Sequence, residues 1–336
     1  MIEVGFPRSL DFKSAIKFCN EMWRLEESEE YNFDFKELRF TEPFTLAYVS
    51  IEMKRFRKYR EGKKFRASNY QHLSYQSHMG FFRAFGLKFG NEPGEASGSG
   101  TYLPITILKK SDLVNEAYDD GIEIGDLLEI KSGEIAQILT QNSNENLTNT
   151  LTFSVREIMR NVVEHSNSEI IEYCAQYWPK KNMVEVAIFD TGDGILKGLS
   201  ENPFLSLKSE RDAIQLALMP GISGKMYKGV FQDKNNPWQN SGYGLYMTNR
   251  ICRQGSSFLI LSNDSGLIFN SKKKEDISCS YKGVALRLRI NTMNLENCST
   301  MLESFREEGR KTSEEMNNGD IIEPSIASTK LASNFL

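Results

Sequence analysis

Three short stretches hold the residue types that could do chemistry. In REIMRNVVEH (156–165), Glu157, Asn161, Glu164 and His165 stand three or four positions apart, or at sums of those steps. A helix would gather them near one face, leaving Ile158, Val162 and Val163 to be buried on the other side. DTGDGI (190–195) follows the apolar run MVEVAIF. Alone it reads equally as a tight acidic turn ending a strand or as a pocket wall. SGYGLYMTNRI (241–251) is a Gly-rich turn that opens a helix. The backbone N–H groups of such a turn, helped by the helix dipole, suit a phosphate.

The elements that must position these stretches follow from hydrophobic periodicity. GEIAQILTQNSNENLTNTLTFSVREIMRNVVEHS predicts two helices or one interrupted helix, and IIEYCAQYW and MVEVAIFD predict strands joined by the turn PKKN. Residues 196–241 hold one helix-like piece, SERDAIQLALM, among Gly, Asn and Pro; so long an irregular segment inside a compact domain is expected to be a functional loop or lid. GLYMTNRICRQ predicts a helix, and SSFLILSN, GLIFNS and VALRLRI predict three closing strands. Beyond about residue 312 the chain is polar and aperiodic, which predicts disorder.

Toward the N-terminus, IEVGFP predicts a short strand. DFKSAIKFCNEMWRL predicts a helix with Ala15, Ile16, Phe18, Cys19, Met22 and Trp23 on one face and Asp11 as its cap. YNFDFKELRF alternates like a strand, and PFTLAYVSIEMKRFRKYR predicts a helix starting near Pro43. NEPGEASGSG is a loop that places a domain boundary close to residue 95, with TYLPITILKK as a strand after it.

Composition removes several classes. With 336 residues, 40% of them apolar and 26% charged, the chain can bury real cores and is long enough for two domains. A net charge of −4 gives no global basic field for nucleic acid. No apolar run reaches the roughly 18 residues of a membrane span, and the start MIEVGFPRSLDF lacks signal-peptide features. The five cysteines are odd in number, scattered and without a CxxC pair, which speaks against a zinc site or disulfide framework. A reduced, cytoplasmic setting is expected.

The three stretches, in this order, resemble the GHKL ATPase superfamily, in particular its histidine-kinase and anti-sigma-factor-kinase ATP-binding domains. REIMRNVVEH looks like the N box, DTGDGI the first glycine box and GYGL the second, and the resemblance covers roughly residues 135 to 292. It implies an α+β protein whose residues 135–295 form a GHKL (Bergerat) two-layer α/β sandwich with a mixed sheet. It also implies ATP and Mg²⁺ as ligands. Asn161 would hold the Mg²⁺, which takes oxygen ligands such as an Asn carbonyl. Glu157 would activate water as the γ-phosphate is attacked; against this stands a plain helix-surface glutamate. Asp190 would accept from the adenine amino group, with Gly192, Gly194 and Ile195 beside the base. Gly242, Tyr243, Gly244 and Leu245 would face the phosphates. His165 matches a histidine of anti-sigma-type N boxes, or is a structural helix-end residue. Lys225, in GISGK, would reach phosphate from the lid or stay solvated; GISGK lacks the P-loop pattern. Many members carry Gly-Thr at the start of the last strand, the Thr supporting the adenine-binding Asp; here Val284 stands in that place.

The N-terminal half, residues 1–95, is similar in pattern to STAS domains, through FDFKELRFTEPFTLAYVSIEMKRFRK and HMGFFRAFGL. Thr41 is the hydroxyl nearest the position where anti-anti-sigma members are phosphorylated. Residues 96–134 are read as a connecting segment and 296–336 as a C-terminal helix and disordered tail. The basic run KRFRKYREGKKFR (54–66) could touch nucleic acid, an acidic partner or a membrane surface, with a solvated face as the favoured reading. His72 and His78 lack the acidic neighbour and dimerisation helix of a histidine-kinase phosphoacceptor. Three functions stand open: an ATP-driven switch whose lid closure controls a protein partner or a homodimer, an anti-sigma-type Ser/Thr kinase, and a module that holds nucleotide without turnover.

Overall fold

In a computed structural model of the chain, residues 1–140, 144–231, 236–294, 298–316 and 323–331 are described. The protein is a mixed α/β chain of the α+β kind. The N-terminal third runs β1 (Ile2–Gly5), β2 (Ser9–Leu10), α1 (Phe12–Trp23), β3 (Glu30–Asp34), β4 (Phe40–Thr41), α2 (Pro43–Tyr59), β5 (Lys64–Ser68), α3 (Ser74–His78) and α4 (Phe81–Ala84). Its strands β1, β3 and β5 form a parallel sheet, and β2 pairs with β4. Asp11 caps α1 by accepting from Ser14 N at 2.9 Å, and Glu42 with Thr45 forms a capping box ahead of Pro43 on α2.

The rest runs β6 (Tyr102–Lys109), α5 (Lys110–Asp120), α6 (Ile124–Thr140), α7 (Glu145–His165), β7 (Ile170–Trp178), β8 (Met183–Phe189), α8 (Ile195–Leu199), α9 (Glu210–Ala217), α10 (Gly244–Cys252), β9 (Ser257–Ser262), β10 (Ser265–Asn270), β11 (Lys274–Ser278), β12 (Val284–Asn291) and α11 (Cys298–Met316). Seven strands form one sheet in the order β11-β10-β9-β12-β8-β7-β6. Every neighbouring pair in it is antiparallel, so the expected mixed sheet is not what forms. The last strand explains this. The helical crossover from β8 to β9 would leave those two parallel, but β12 inserts between them and is antiparallel to both.

Period-two alternation gives the sheet two apolar faces. Val184, Val186 and Ile188 of β8 pack with Leu151, Phe153 and Met159 of α7 in one core. Ala187 and Phe189 join Phe44, Tyr48 and other N-terminal residues in a second core on the rear face. The N-terminal third thus covers the rear face of the sheet. α2 is buried almost continuously from Pro43 to Met53, as suits a helix that is apolar most of the way round and lies between two surfaces. Its N-terminus meets Glu185 of the sheet, whose Oε1 accepts from Phe44 N at 3.0 Å.

Two further expectations change. Residues 96–134 supply an edge strand and two helices, because Leu103 and Ile105 of β6 and Leu127 and Leu128 of α6 are core residues. The tail is ordered at residues 323–331: Ala327 is fully buried and Leu331 nearly so. Residues 317–322 and 332–336 lie outside the described residues. Among the described residues no helix is long and apolar enough to cross a membrane.

Candidate functional site

A cleft of about 960 Å³, open mouth included, lies between α7, the ends of β8 and β12, the 195–224 segment and the turn that opens α10. Glu157, Asn161, His165, Asp190, Gly194, Ile195, Gly242, Gly244 and Leu245 line it, so the three stretches meet in one place. Gly192, Lys225 and Tyr243 do not line it. Tyr243 is fully buried and packs edge-on against Tyr246. The Nζ of Lys225 donates to the Glu164 carbonyl at the end of α7.

Asp190, nearly buried where β8 ends, is held from three sides. Its Oδ1 accepts from Ser166 Oγ at 2.9 Å and from Gly192 N at 2.8 Å, and its main-chain carbonyl accepts from Tyr281 Oη at 2.9 Å. Burial raises its carboxyl above the usual range, against the pull of the Gly192 and Ser166 donors. Val284 cannot supply a hydroxyl here; Ser166, just past the end of α7, does so from the opposite side. Gly192 makes this possible, since a Cβ there would sit 2.1 Å from Ser166 Oγ. Gly192 thus leaves room for Ser166 to reach Asp190.

On α7, whose first turn is capped by Asn144 accepting from Leu147 N at 3.0 Å, Asn161 carries a buried terminal amide nitrogen with no hydrogen-bond partner. Turning that amide by 180° presents its carbonyl oxygen at the same place. A lone oxygen donor suits Mg²⁺, which keeps water and phosphate oxygens as its other ligands. Among the described residues no group of three or more His, Cys, Asp or Glu could cage a metal ion. His165 ends the same helix, and its Nε2 takes a hydrogen bond from the side-chain amide of Asn240. Burial, then Lys225, Arg160 and Lys110, lowers its pKa to about 4, so the imidazole is neutral at pH 7.

The Gly-rich turn is tightly seated. Gly242 has φ +72°, and a Cβ there would meet the Ile222 carbonyl at 2.4 Å. A Cβ on Gly244 would meet Glu157 Oε2 at the same distance of 2.4 Å, so α7 and the start of α10 touch at the carboxylate itself.

Glu157 is buried rather than on the helix surface. Its Oε1 accepts from Arg156 at 3.0 and 3.1 Å and from Arg160 at 3.3 Å. Both guanidinium groups lie over the Trp238 ring. Arg156, with no exposed surface, also donates to Glu129 and to the carbonyls of Ala327 and Lys330. Oε2 of Glu157 is left toward the cleft, where Ser328 Oγ approaches it at 3.4 Å.

The sequence reading missed Arg156, Arg160, Ser166, Ser241 and Ser328. The two arginines could have been noticed as cations interrupting an apolar helix stripe, with Glu164 four residues after Arg160. The serines carried no such signal.

Other candidates stand elsewhere. In the basic run, Arg55, Arg57, Arg60, Lys63 and Arg66 are engaged with Glu52, the Phe85 carbonyl, the Leu25 carbonyl, Glu27 and Glu30. This favours the solvated structural face. Thr41 is buried and accepts from Gln76 Nε2 at 3.2 Å. His72 contacts Arg39 within the N-terminal third, and His78 contacts Tyr102 at the start of β6. No family model matches the chain, and a search of curated proteins finds no match either.

Proposed function

We propose that this cleft binds Mg-ATP in the manner of GHKL ATPases. The segment of residues 196–241 then acts as a lid whose closure is sensed by a protein partner or by a second copy of the chain. The observation that carries the reading is one cleft that joins an unpartnered Asn161 amide, an Asp190 carboxylate anchored on one oxygen only, and two glycines at a helix-opening turn. Asp190 accepts from the adenine amino group with the carboxyl edge that Ser166 and Gly192 leave open. The backbone N–H groups that open α10 at Gly244 meet the phosphates, Gly242 N being held by Asn240 Oδ1 at 3.1 Å. Asn161 would hold Mg²⁺, which when bound would neutralise charge on the triphosphate.

Turnover follows from the placement of Glu157. Arg156 and Arg160 hold Oε1, so Oε2 is the oxygen that accepts a proton from the attacking hydroxyl. The lid supplies Ile222, Ser223 and Gly224 to the cleft wall, so its movement opens or seals the site. In the same reading, the GHKL sandwich spans residues 135–295, extended by β6, and residues 1–95 are a STAS-like regulatory half. Support for the latter is the alternation β1-α1-β3-α2-β5.

Calorimetric titration with a non-hydrolysable ATP analogue, with and without Mg²⁺, tests the reading. Saturable binding that tightens with Mg²⁺ is expected. No heat at millimolar analogue rules it out. Glu157→Gln, which keeps the shape of the side chain, should bind the analogue and lose turnover.

A further inference from the structure

Nothing in the periodicity of the tail explains why residues 323–331 should be ordered, and the reason lies in what they touch. Arg156 donates to the carbonyls of Ala327 and Lys330, bracketing Ser328 on both sides, and Ala327 N donates to the Pro237 carbonyl at 3.0 Å. The clamp sets Ser328, 3% exposed, into the wall of the cleft. Its Oγ lies 3.4 Å from Glu157 Oε2 and is shared with Ser325 Oγ at 3.0 Å and Ser241 Oγ at 3.2 Å. Glu157 Oε2 is the atom that a Cβ on Gly244 would strike. A serine hydroxyl, a carboxylate oxygen and the start of the phosphate-suited turn therefore adjoin one another. A nucleophile within reach of a base whose other oxygen is fixed by two guanidinium groups has the arrangement of an acceptor hydroxyl and its general base. Glu157 is itself only 3% exposed, and the hydroxyl set against its open oxygen is that of Ser328.

We propose that Ser328 accepts a phosphoryl group in cis from ATP bound in the cleft, an inference that rests on the ATP-site reading above. Ser328 Oγ attacks the γ-phosphorus, and its proton passes to Glu157 Oε2. The bond from the γ-phosphorus to the β,γ-bridging oxygen breaks, and ADP leaves with that electron pair. Ser325 and Ser241 position the acceptor; Arg156 holds the backbone that carries it.

The test uses the full chain. Calorimetry with the non-hydrolysable analogue reports the ATP site by itself. The protein is then incubated with Mg-ATP labelled at the γ-position, and the phosphorylated residue is located by mass spectrometry of its peptides. Label at Ser328, gained at a rate that does not change with protein concentration, is the expected result. Ser328→Ala should cut incorporation at least about tenfold while the analogue still titrates. Ser328→Thr should move the label to threonine at the same position. Analogue binding without phosphate at Ser328, phosphate at Ser325 or Thr329 instead, or a rate that rises with protein concentration would overturn the proposal. No heat with the analogue removes the ATP site and this acceptor together.

Discussion

Ser166 Oγ donates to Asp190 Oδ1 at 2.9 Å, tying the end of the α7 helix to the end of the β8 strand. The hydroxyl comes from the helix side of the cleft, while Val284 on the strand side lines the cleft and accepts from Asp190 N at 2.9 Å with its main-chain carbonyl. A resemblance that expects this support from the last strand finds it supplied from another element. Both donors to the aspartate side chain, Ser166 Oγ and Gly192 N, meet the same oxygen, Oδ1.

Removing that hydroxyl should weaken nucleotide binding without abolishing it. Ser166→Ala takes one of two donors from a buried carboxylate, which costs about 1 to 2 kcal/mol, or roughly five- to thirty-fold in Kd for the ATP analogue. Calorimetry on the variant checks this. An unchanged Kd would mean that Asp190 does not meet the base.

Asn161 should matter to the metal more than to the nucleotide. In Asn161→Ala, the analogue should bind with the same affinity in Mg²⁺ and in chelator, whereas the parent protein should gain at least about tenfold from Mg²⁺. Paired titrations decide it; a Mg²⁺ effect that survives the substitution places the ion elsewhere.

Glu157 has a structural as well as a chemical consequence. Glu157→Ala leaves Arg156 and Arg160 buried without their shared carboxylate and should lower unfolding stability by about 3 to 5 kcal/mol. Glu157→Gln retains an oxygen acceptor and should cost clearly less. Urea denaturation of both variants gives the comparison, and equal losses would show that the carboxylate charge is what the arginines require.

Two titrating groups bend stability in opposite directions with pH. Burial lowers His165 to about 4, so its unfolded form takes up a proton first. Stability from this residue is present above about pH 6.5 and is lost toward pH 4, on the order of 3 kcal/mol in all. Burial raises Glu172 to about 8, with one carboxylate oxygen lacking a partner. Its folded form prefers the proton, so stability falls as pH rises from the unfolded value of about 4.5 toward 8. His165→Gln should flatten the acid side of a stability–pH profile, and Glu172→Gln should raise stability at pH 7 by roughly 1 to 3 kcal/mol. A profile unmoved by either substitution would contradict the burial assigned to these groups.

Much of the frame was legible because it is local. The start of α2 at Pro43, the cap at Asp11, the hairpin turn PKKN and the opening of α10 all rest on residues within a turn of one another. β11 was not expected, because KEDIS is charged and mostly exposed; it is held by pairing with β10 and by ion pairs of Glu275 with Lys13 and of Asp276 with Arg211. Nor was the rear layer, since an apolar helix looks the same in sequence whether one surface or two will cover it.

The sequence by itself determined the chemical vocabulary: helix-spaced Glu157 and Asn161, an aspartate at a strand end, and a Gly-rich turn before a helix. Periodicity and turn chemistry act over a few residues, so a single chain states them directly. Only the tertiary structure decided that Ser166 supports Asp190, that Gly192 makes room for it, and that Arg156 draws Ala327 and Lys330 onto Glu157 across more than 170 positions. Those relations depend on buried hydrogen bonds between distant segments. Polar atoms shut away from water must find partners, and which partners are within reach is settled only when the sheet has closed and the tail has docked.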